Sequence, residues 1–71
     1  MGARWPSKKA PQVYSALLRA GWKLKRQASS HRVLEKVGVS DYVFAFHDSE
    51  TIGPVMMAKI AKRTGLTVDD L

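Results

Sequence analysis

The chain has no cysteine and no long apolar run. Without cysteine in its 71 residues, it has neither a disulfide framework nor a thiolate zinc site. No apolar run approaches the roughly 20 residues that a membrane-spanning helix needs, and the first residues lack the apolar stretch of a secretion signal. We therefore expect a cytoplasmic protein with no membrane partner, which folds by its hydrophobic core alone.

Acidic residues and histidines are also few. Six Asp and Glu against twelve Lys and Arg give a formal net charge of +6, which favours nucleic acid or an acidic protein as a partner. Two histidines and scattered carboxylates do not form a tetrahedral cluster, so we expect no metal and no cofactor. A chain this short buries only about 60% of its unfolded surface, which predicts one domain over residues 1–71 with a shallow site.

Local signals predict a helix at each end of the domain. Residues 1–6 are expected to form a flexible basic lead. Apolar residues recurring at three and four predict a first helix that Ser7 caps and Gly21 ends. Pro54 opens a second helix that ends at Gly65, and Thr67 begins a further capping pattern.

Between these helices, period-two alternation predicts three antiparallel strands, over residues 22–27, 31–37 and 42–46. The first strand is expected to be half-buried with a basic outer face, and the second has an ambiguous inner face. Residues 38–41 have the composition of a turn, and residues 47–53 that of a loop. The fold class is therefore α+β, with the order α-β-β-β-α. Two helices cover one sheet face, and the other is left for solvent or ligand.

His31 is the strongest candidate for chemistry. It follows two hydroxyl residues and precedes an arginine, between two strands that carry much of the basic charge. RNA has its own nucleophile in the 2′-OH, so cleavage needs a base, an acid and positive charge near the phosphorane, but no metal. Imidazole can act as base or acid at neutral pH. The expected phosphate-contacting and orienting residues around it are Lys23, Lys25, Arg26, Ser29, Ser30 and Arg32.

In order and spacing, the chain resembles the HicA (YcfA-like) toxins of bacterial type II toxin–antitoxin modules, from about Ala10 to Leu66. The family pattern has a first helix ending in Gly-Trp, a basic strand leading to Gly-Ser-His, and later a histidine that ends the third strand before a final helix. The matching residues here are Gly21-Trp22, Arg26, Ser30-His31, Phe46-His47, Ile52-Gly53 and Ile60-Ala61-Lys62-Arg63-Thr64-Gly65-Leu66.

The resemblance implies a double-stranded-RNA-binding-domain-like fold and an mRNA interferase that a HicB-like antitoxin silences. It implies that His31 is catalytic. The position of His47, after Phe46 and next to Asp48, leaves three interpretations open: an RNA contact, a second proton-transfer group or the polar end of a strand. Two departures stand out. Ser29 replaces the glycine of the motif and can adopt a left-handed backbone only at some energetic cost. Asp48 and Glu50 stand where basic residues are common, which limits the RNA path in that direction.

Two other function classes fit the same residues. One is a non-catalytic RNA-binding module that uses the same basic face, and the other is a small basic protein whose main role is to be bound by an acidic partner. Replacement of His31 separates the enzyme from the binding module. A neighbouring gene for a HicB-like antitoxin would favour the toxin.

Overall fold

The computed structural model describes residues 5–71, so most of the predicted basic lead, residues 1–4, lies outside the described residues. Two helices, five strands and a 3-10 turn follow one another: β1 (Lys8–Lys9), α1 (Ala10–Arg19), β2 (Lys23–Ala28), β3 (His31–Lys36), β4 (Val39–Ala45), β5 (Thr51–Ile52), α2 (Pro54–Thr64) and the 3-10 turn (Val68–Asp70). The predicted α-β-β-β-α order and the α+β class are confirmed, and two short strands are added to them.

Strands β2, β3 and β4 form an antiparallel sheet in that order, with β3 in the centre. The turn predicted over residues 38–41 is wrong, because β4 begins at Val39 and pairs there with Lys36. Only Val37 and Gly38 connect the two strands. Gly38 has a φ of 85°, a left-handed backbone that glycine adopts without strain in a short connection.

The register assigns each strand residue to one of two faces. Arg32 pairs with Phe44 and Leu34 with Tyr42, and these side chains share the face that the helices cover. His31 pairs with Ala45, so the opposite face carries His31. We call this opposite face the open face. The inner face of β3, which the sequence left ambiguous, is therefore the face of Leu34, which is fully buried.

The core lies between the inner sheet face and the two helices. It consists of twelve buried apolar side chains: Ala10, Val13, Ala16, Leu17, Trp22, Leu34, Phe44, Ile52, Met57, Ile60, Ala61 and Leu66. Trp22 anchors the end of α2, because its indole Nε1 donates to the carbonyl oxygen of Thr64 at 3.3 Å. Both helices thus cover the same sheet face, as the sequence predicts, and no helix within residues 5–71 lies over the open face.

Strand β2 differs from its prediction. All six of its residues are exposed, including Leu24, which the alternation assigned to a buried face and which is 42% exposed. β2 is an edge strand, and its register with β3 shifts between Leu24 and Arg26. A bulge of this kind breaks the period-two pattern, so the expected half-buried strand is an exposed one.

The pairing of β1 with β5 was not predicted from the sequence. Lys8 pairs with Ile52 and Lys9 with Thr51, within the region expected to be a loop. A hydrogen bond from the Ala10 N–H to the carbonyl of Glu50, at 2.9 Å, continues this ladder. The pairing makes Lys9, and not Ser7, the residue that precedes the first turn of α1. Two-residue strands are too short to show alternation, so no local signal predicts them.

The predicted ends of α2 and the predicted capping pattern after it are confirmed. α2 begins at Pro54, and Gly65 follows it with a left-handed φ of 78°. The capping pattern at Thr67 is also present, because its N–H donates to the Asp70 carboxylate at 2.8 Å. Trp5, the first of the described residues, is half-buried and packs against the core. No helix within residues 5–71 combines the length and apolar character that crossing a membrane requires.

Candidate nucleic-acid interface

The connection between β2 and β3 is a two-residue turn with an unusual backbone. Ala28 pairs with His31, so Ser29 and Ser30 alone reverse the chain. Among residues 5–71, Ser29 is the single non-glycine residue with a positive φ, at 58°. A side chain in this left-handed region costs roughly 1–2 kcal/mol. The serine that replaces the motif glycine therefore occupies the conformation for which glycine is suited.

This turn places His31 at the first position of β3, on the open face. The side chain is exposed, and the residues paired with it on either side, Ala28 and Ala45, are small. No other described residue forms a hydrogen bond with its imidazole. The ring is thus accessible from solvent, and a ligand lying across the open face can reach it.

Two of the predicted phosphate contacts share this face with His31. Lys23 pairs with Glu35, and Arg26 pairs with Val33, positions that alternate onto the open face. Both side chains are exposed, and neither forms an ion pair with another described residue. The open face therefore presents free positive charge along β2, on the same side as the imidazole.

Lys25 is the third predicted contact on β2, and it is already paired. Its Nζ donates to Asp41 Oδ2 at 2.9 Å. This hydrogen bond, together with the negative charge of Asp41, raises the pKa of Lys25 above its usual value. Because both groups are exposed, water and salt screen the pair. An anionic ligand would therefore have to compete with Asp41 for Lys25.

The other predicted residues lie on the opposite side of the hairpin end, around a cleft of about 290 Å³. Polar side chains and one aromatic ring line it: Gln27, Ser29, Ser30, Arg32, Phe46, His47 and Asp48. We call this the hairpin cleft. It contains four residues that the sequence analysis proposed for RNA contact, but His31 is not among its walls.

Arg32 is the most constrained side chain of the hairpin cleft. Its guanidinium carbon lies 4.6 Å from the centre of the Tyr14 ring, in the range of a cation–π contact. Its Nη2 lies 3.3 Å from Asp48 Oδ1, and only 16% of the side chain is exposed. Its Nη1 is buried and has no hydrogen-bond partner among the described residues. An unpaired buried donor of this kind costs on the order of 1–3 kcal/mol.

The loop after β4 orients His47. The backbone N–H of His47 donates to Glu50 Oε2 at 2.6 Å, and the Glu50 N–H donates back to the His47 carbonyl at 3.0 Å. The imidazole of His47 is exposed at the edge of the hairpin cleft. The two carboxylates that limited the expected RNA path thus have intramolecular partners, Asp48 with Arg32 and Glu50 with His47.

The structure therefore divides the predicted site into two groups. His31, Lys23 and Arg26 share the open face, and the remaining predicted residues other than Lys25 lie around the hairpin cleft. Lys25 lies in the β2 bulge and is paired with Asp41. Sequence reasoning missed Gln27, Phe46 and Asp48 as cleft residues. Gln27 could have been identified from the strand register, because it pairs with Arg32 across the hairpin. No three acidic or histidine residues within residues 5–71 come together as a metal site.

The model of one protein family, described as the HicA toxin of bacterial toxin–antitoxin systems, matches residues 10–66. The chain belongs to the HicA toxin family. This membership confirms the resemblance and makes the protein a toxin of a toxin–antitoxin system, whose partner is an antitoxin. Searches of curated proteins and of solved structures gave no match.

The HicA match covers the parts of the molecule that build both groups of candidate residues. It begins at the first residue of α1 and ends just after α2. The hairpin turn, His31 and the hairpin cleft all lie inside it, whereas β1 and the final 3-10 turn lie outside. The candidate residues are thus part of the HicA domain itself.

Proposed function

We propose that this HicA protein is a metal-independent endoribonuclease that cleaves mRNA, with His31 as its catalytic residue. The observation that carries the proposal is the position of His31: exposed on the open face, at the end of a strained two-residue turn, and on the same side as unpaired basic residues of β2. A negatively charged strand of RNA that follows β2 would bring its phosphates past this imidazole.

Cleavage of RNA needs a general base, a general acid and positive charge near the phosphorus, and few residues supply them. The imidazole of His31 takes the proton of a ribose 2′-OH, and the resulting oxygen attacks the adjacent phosphorus. Arg26, whose partner Val33 is two residues from His31, stabilises the charge that develops on the phosphorane oxygens. Lys23, farther along β2, binds a neighbouring phosphate. The 5′-oxygen then leaves and takes a proton from the imidazolium or from water, which leaves a 2′,3′-cyclic phosphate. General-base catalysis of this kind contributes about 10²–10⁴-fold, which suits a slow enzyme with a shallow site.

The antitoxin would act on the same face. In this proposal a HicB-like antitoxin binds over the open face and covers His31, because that is the simplest way to silence an enzyme with one accessible catalytic group. The formal charge of +6 favours an acidic surface on the antitoxin. The site of action is the cytoplasm, where mRNA is found.

A second candidate is a non-catalytic RNA-binding module. One observation favours it: among the described residues, no carboxylate or carbonyl holds the imidazole of His31 in a fixed orientation. Catalytic histidines often have such a partner. In this alternative, the same basic face binds RNA and leaves it intact.

Matched histidine variants separate the two candidates. Wild type, His31→Ala and His47→Ala are expressed in a host that lacks the module, and growth and the integrity of several mRNAs are followed. The enzyme predicts arrest and cleavage by the wild type, loss of both in His31→Ala, and retained cleavage in His47→Ala. Purified proteins are then compared on one RNA with and without EDTA, with RNA binding and thermal unfolding measured beside cleavage. If folded wild type and folded His31→Ala both bind RNA without cutting it, the binding module is correct.

A further inference from the structure

We propose that the hairpin cleft binds one nucleobase of the RNA, and not a phosphate, and so selects the base next to the bond that is cut. The inference rests on the proposed function for its RNA, but the cleft and its ligand can be tested without cleavage. It assigns separate roles to the two groups of residues: the open face handles phosphates, and the hairpin cleft reads a base.

The charge balance of the cleft argues against a phosphate. The positive charge of Arg32 is matched by the carboxylate of Asp48, whose Oδ1 lies 3.3 Å from Nη2. With neutral histidine, the cleft walls then have no net formal charge. A phosphate would also meet the Asp48 carboxylate, which is 69% exposed, and like charges repel. Free positive charge lies instead on the open face.

The polar groups of the cleft match the edge of a base. Gln27 contributes a side-chain amide. Its Nε2 donates to the Ser29 carbonyl at 3.4 Å, and its Oε1 has no hydrogen-bond partner among the described residues. Ser29 and Ser30 offer hydroxyls, and the second oxygen of Asp48 accepts. The guanidinium of Arg32 lies in the wall of the cleft, paired with Asp48. The cleft lining thus offers both donors and acceptors, and base edges present both, whereas a phosphate presents acceptors alone.

The shape of the cleft agrees with a single flat ring system. A volume of about 290 Å³ lies at the lower end of the range for small-molecule sites, so it holds one base and not several nucleotides. Phe46 lines one wall and is kept in place by Phe44, with ring centres 5.0 Å apart. The Arg32 guanidinium is held against Tyr14. Proteins recognise unpaired RNA bases by stacking them on such aromatic and guanidinium surfaces.

The cleft and His31 are adjacent through the backbone. Ser30, His31 and Arg32 are consecutive, with about 3.8 Å between neighbouring Cα atoms. Strand alternation sends His31 to the open face and Arg32 to the cleft. A nucleotide whose base occupies the cleft would therefore leave its ribose and phosphate at the hairpin end, near the imidazole. Base binding in the cleft then decides which phosphodiester meets His31.

The test is an NMR titration of ¹⁵N-labelled His31→Ala protein, which separates binding from cleavage. The probes are the four common ribonucleosides, which carry no phosphate, and inorganic phosphate, each up to about 10 mM. We expect at least one nucleoside to shift the amide signals of residues 27–32 and 46–48 with millimolar affinity, while phosphate leaves these signals in place. Absence of a response to all four nucleosides, or an equal response to phosphate, overturns the inference.

Two variants that remove the same charge sharpen the result. Asp48→Asn removes an acceptor from the cleft, whereas Glu35→Gln changes an exposed carboxylate on the open face. We expect Asp48→Asn to weaken nucleoside binding about tenfold, the usual scale of one hydrogen bond to a charged group, and Glu35→Gln to leave it unchanged. Equal effects of the two variants would contradict a cleft site.

The outcomes for the enzyme and for the cleft are distinguishable. If nucleosides bind the cleft but the wild type cuts no RNA, the base site stands and the ribonuclease proposal fails. If the wild type cuts RNA, the Asp48→Asn variant made with His31 intact should change the base preference of the cut sites. Cleavage with an unaltered base preference in that variant would refute the base-reading role while leaving the ribonuclease in place.

Discussion

Replacing Ser29 by glycine should stabilise the protein. Ser29 has a φ of 58° at the first position of a two-residue hairpin turn, where glycine adopts a positive φ without a steric penalty. Its hydroxyl forms no hydrogen bond with another described residue. The substitution therefore removes a Cβ that strains the backbone and takes away no polar contact.

The expected gain follows from two opposing contributions. A side chain in the left-handed region costs about 1–2 kcal/mol, and glycine recovers this in the folded state. Glycine also makes the unfolded chain more flexible, which costs about 0.5–1 kcal/mol. With the midpoints of these ranges, the free energy of unfolding should rise by about 0.75 kcal/mol, which raises the Tm of a domain of this size by about 3–6 °C.

Thermal and urea unfolding of four proteins measure this prediction: wild type, Ser29→Gly, Ser29→Ala and Ser30→Gly. Alanine keeps the strained Cβ, so Ser29→Ala should stay within about 0.5 kcal/mol of the wild type. Ser30 does not have a positive φ, so glycine there adds flexibility without relieving strain and should lower stability. A Ser29→Gly protein no more stable than the wild type would show that the turn is not strained.

Three further changes probe the rest of the fold. Trp22→Phe leaves the buried Thr64 carbonyl without its indole donor and should lower the free energy of unfolding by about 1–3 kcal/mol. An unchanged urea midpoint would contradict this. Gly65→Ala, at a φ of 78°, should lower the free energy of unfolding by about 1 kcal/mol in the same assay. An unchanged stability would mean that α2 does not end in a left-handed residue. Asp41→Asn should lower the raised pKa of Lys25 in an NMR titration. In the wild type, this pair stabilises the fold below the usual lysine pKa, and the contribution is lost as pH rises through the raised value.

The helices and the element order could be predicted because their signals are local. Pro54 and the glycines after each helix act through their own backbone dihedrals, so a sequence pattern suffices to place those ends. The errors arose where partners distant in sequence decide the structure. The short pairing of β1 with β5 joins residues more than forty positions apart. The bulge in β2 depends on its position at the sheet edge.

The candidate site shows the same limit. The residue types around His31 and the cost of Ser29 could be inferred from the chain, and the backbone of Ser29 has the left-handed φ that the motif glycine suggests. The division of the site between the open face and the hairpin cleft could not be inferred from the chain, because it depends on strand register. A shift of one residue would exchange the faces of His31 and Arg32. The contact of Arg32 with Tyr14 joins β3 to α1, which no local pattern reveals.

The exposed edge strand β2 also affects how the protein behaves at high concentration. An unpaired edge offers backbone N–H and C=O groups to a second chain, and charged side chains, lysine above all, discourage such pairing. Lys23, Lys25 and Arg26 lie on this edge. Neutralising all three to abolish RNA binding would therefore also remove the charges that keep sheets of different molecules apart. A loss of toxicity in such a variant could then reflect aggregation and not lost RNA binding. Light scattering would detect the aggregation, and charge-preserving Lys→Arg variants would serve as the control.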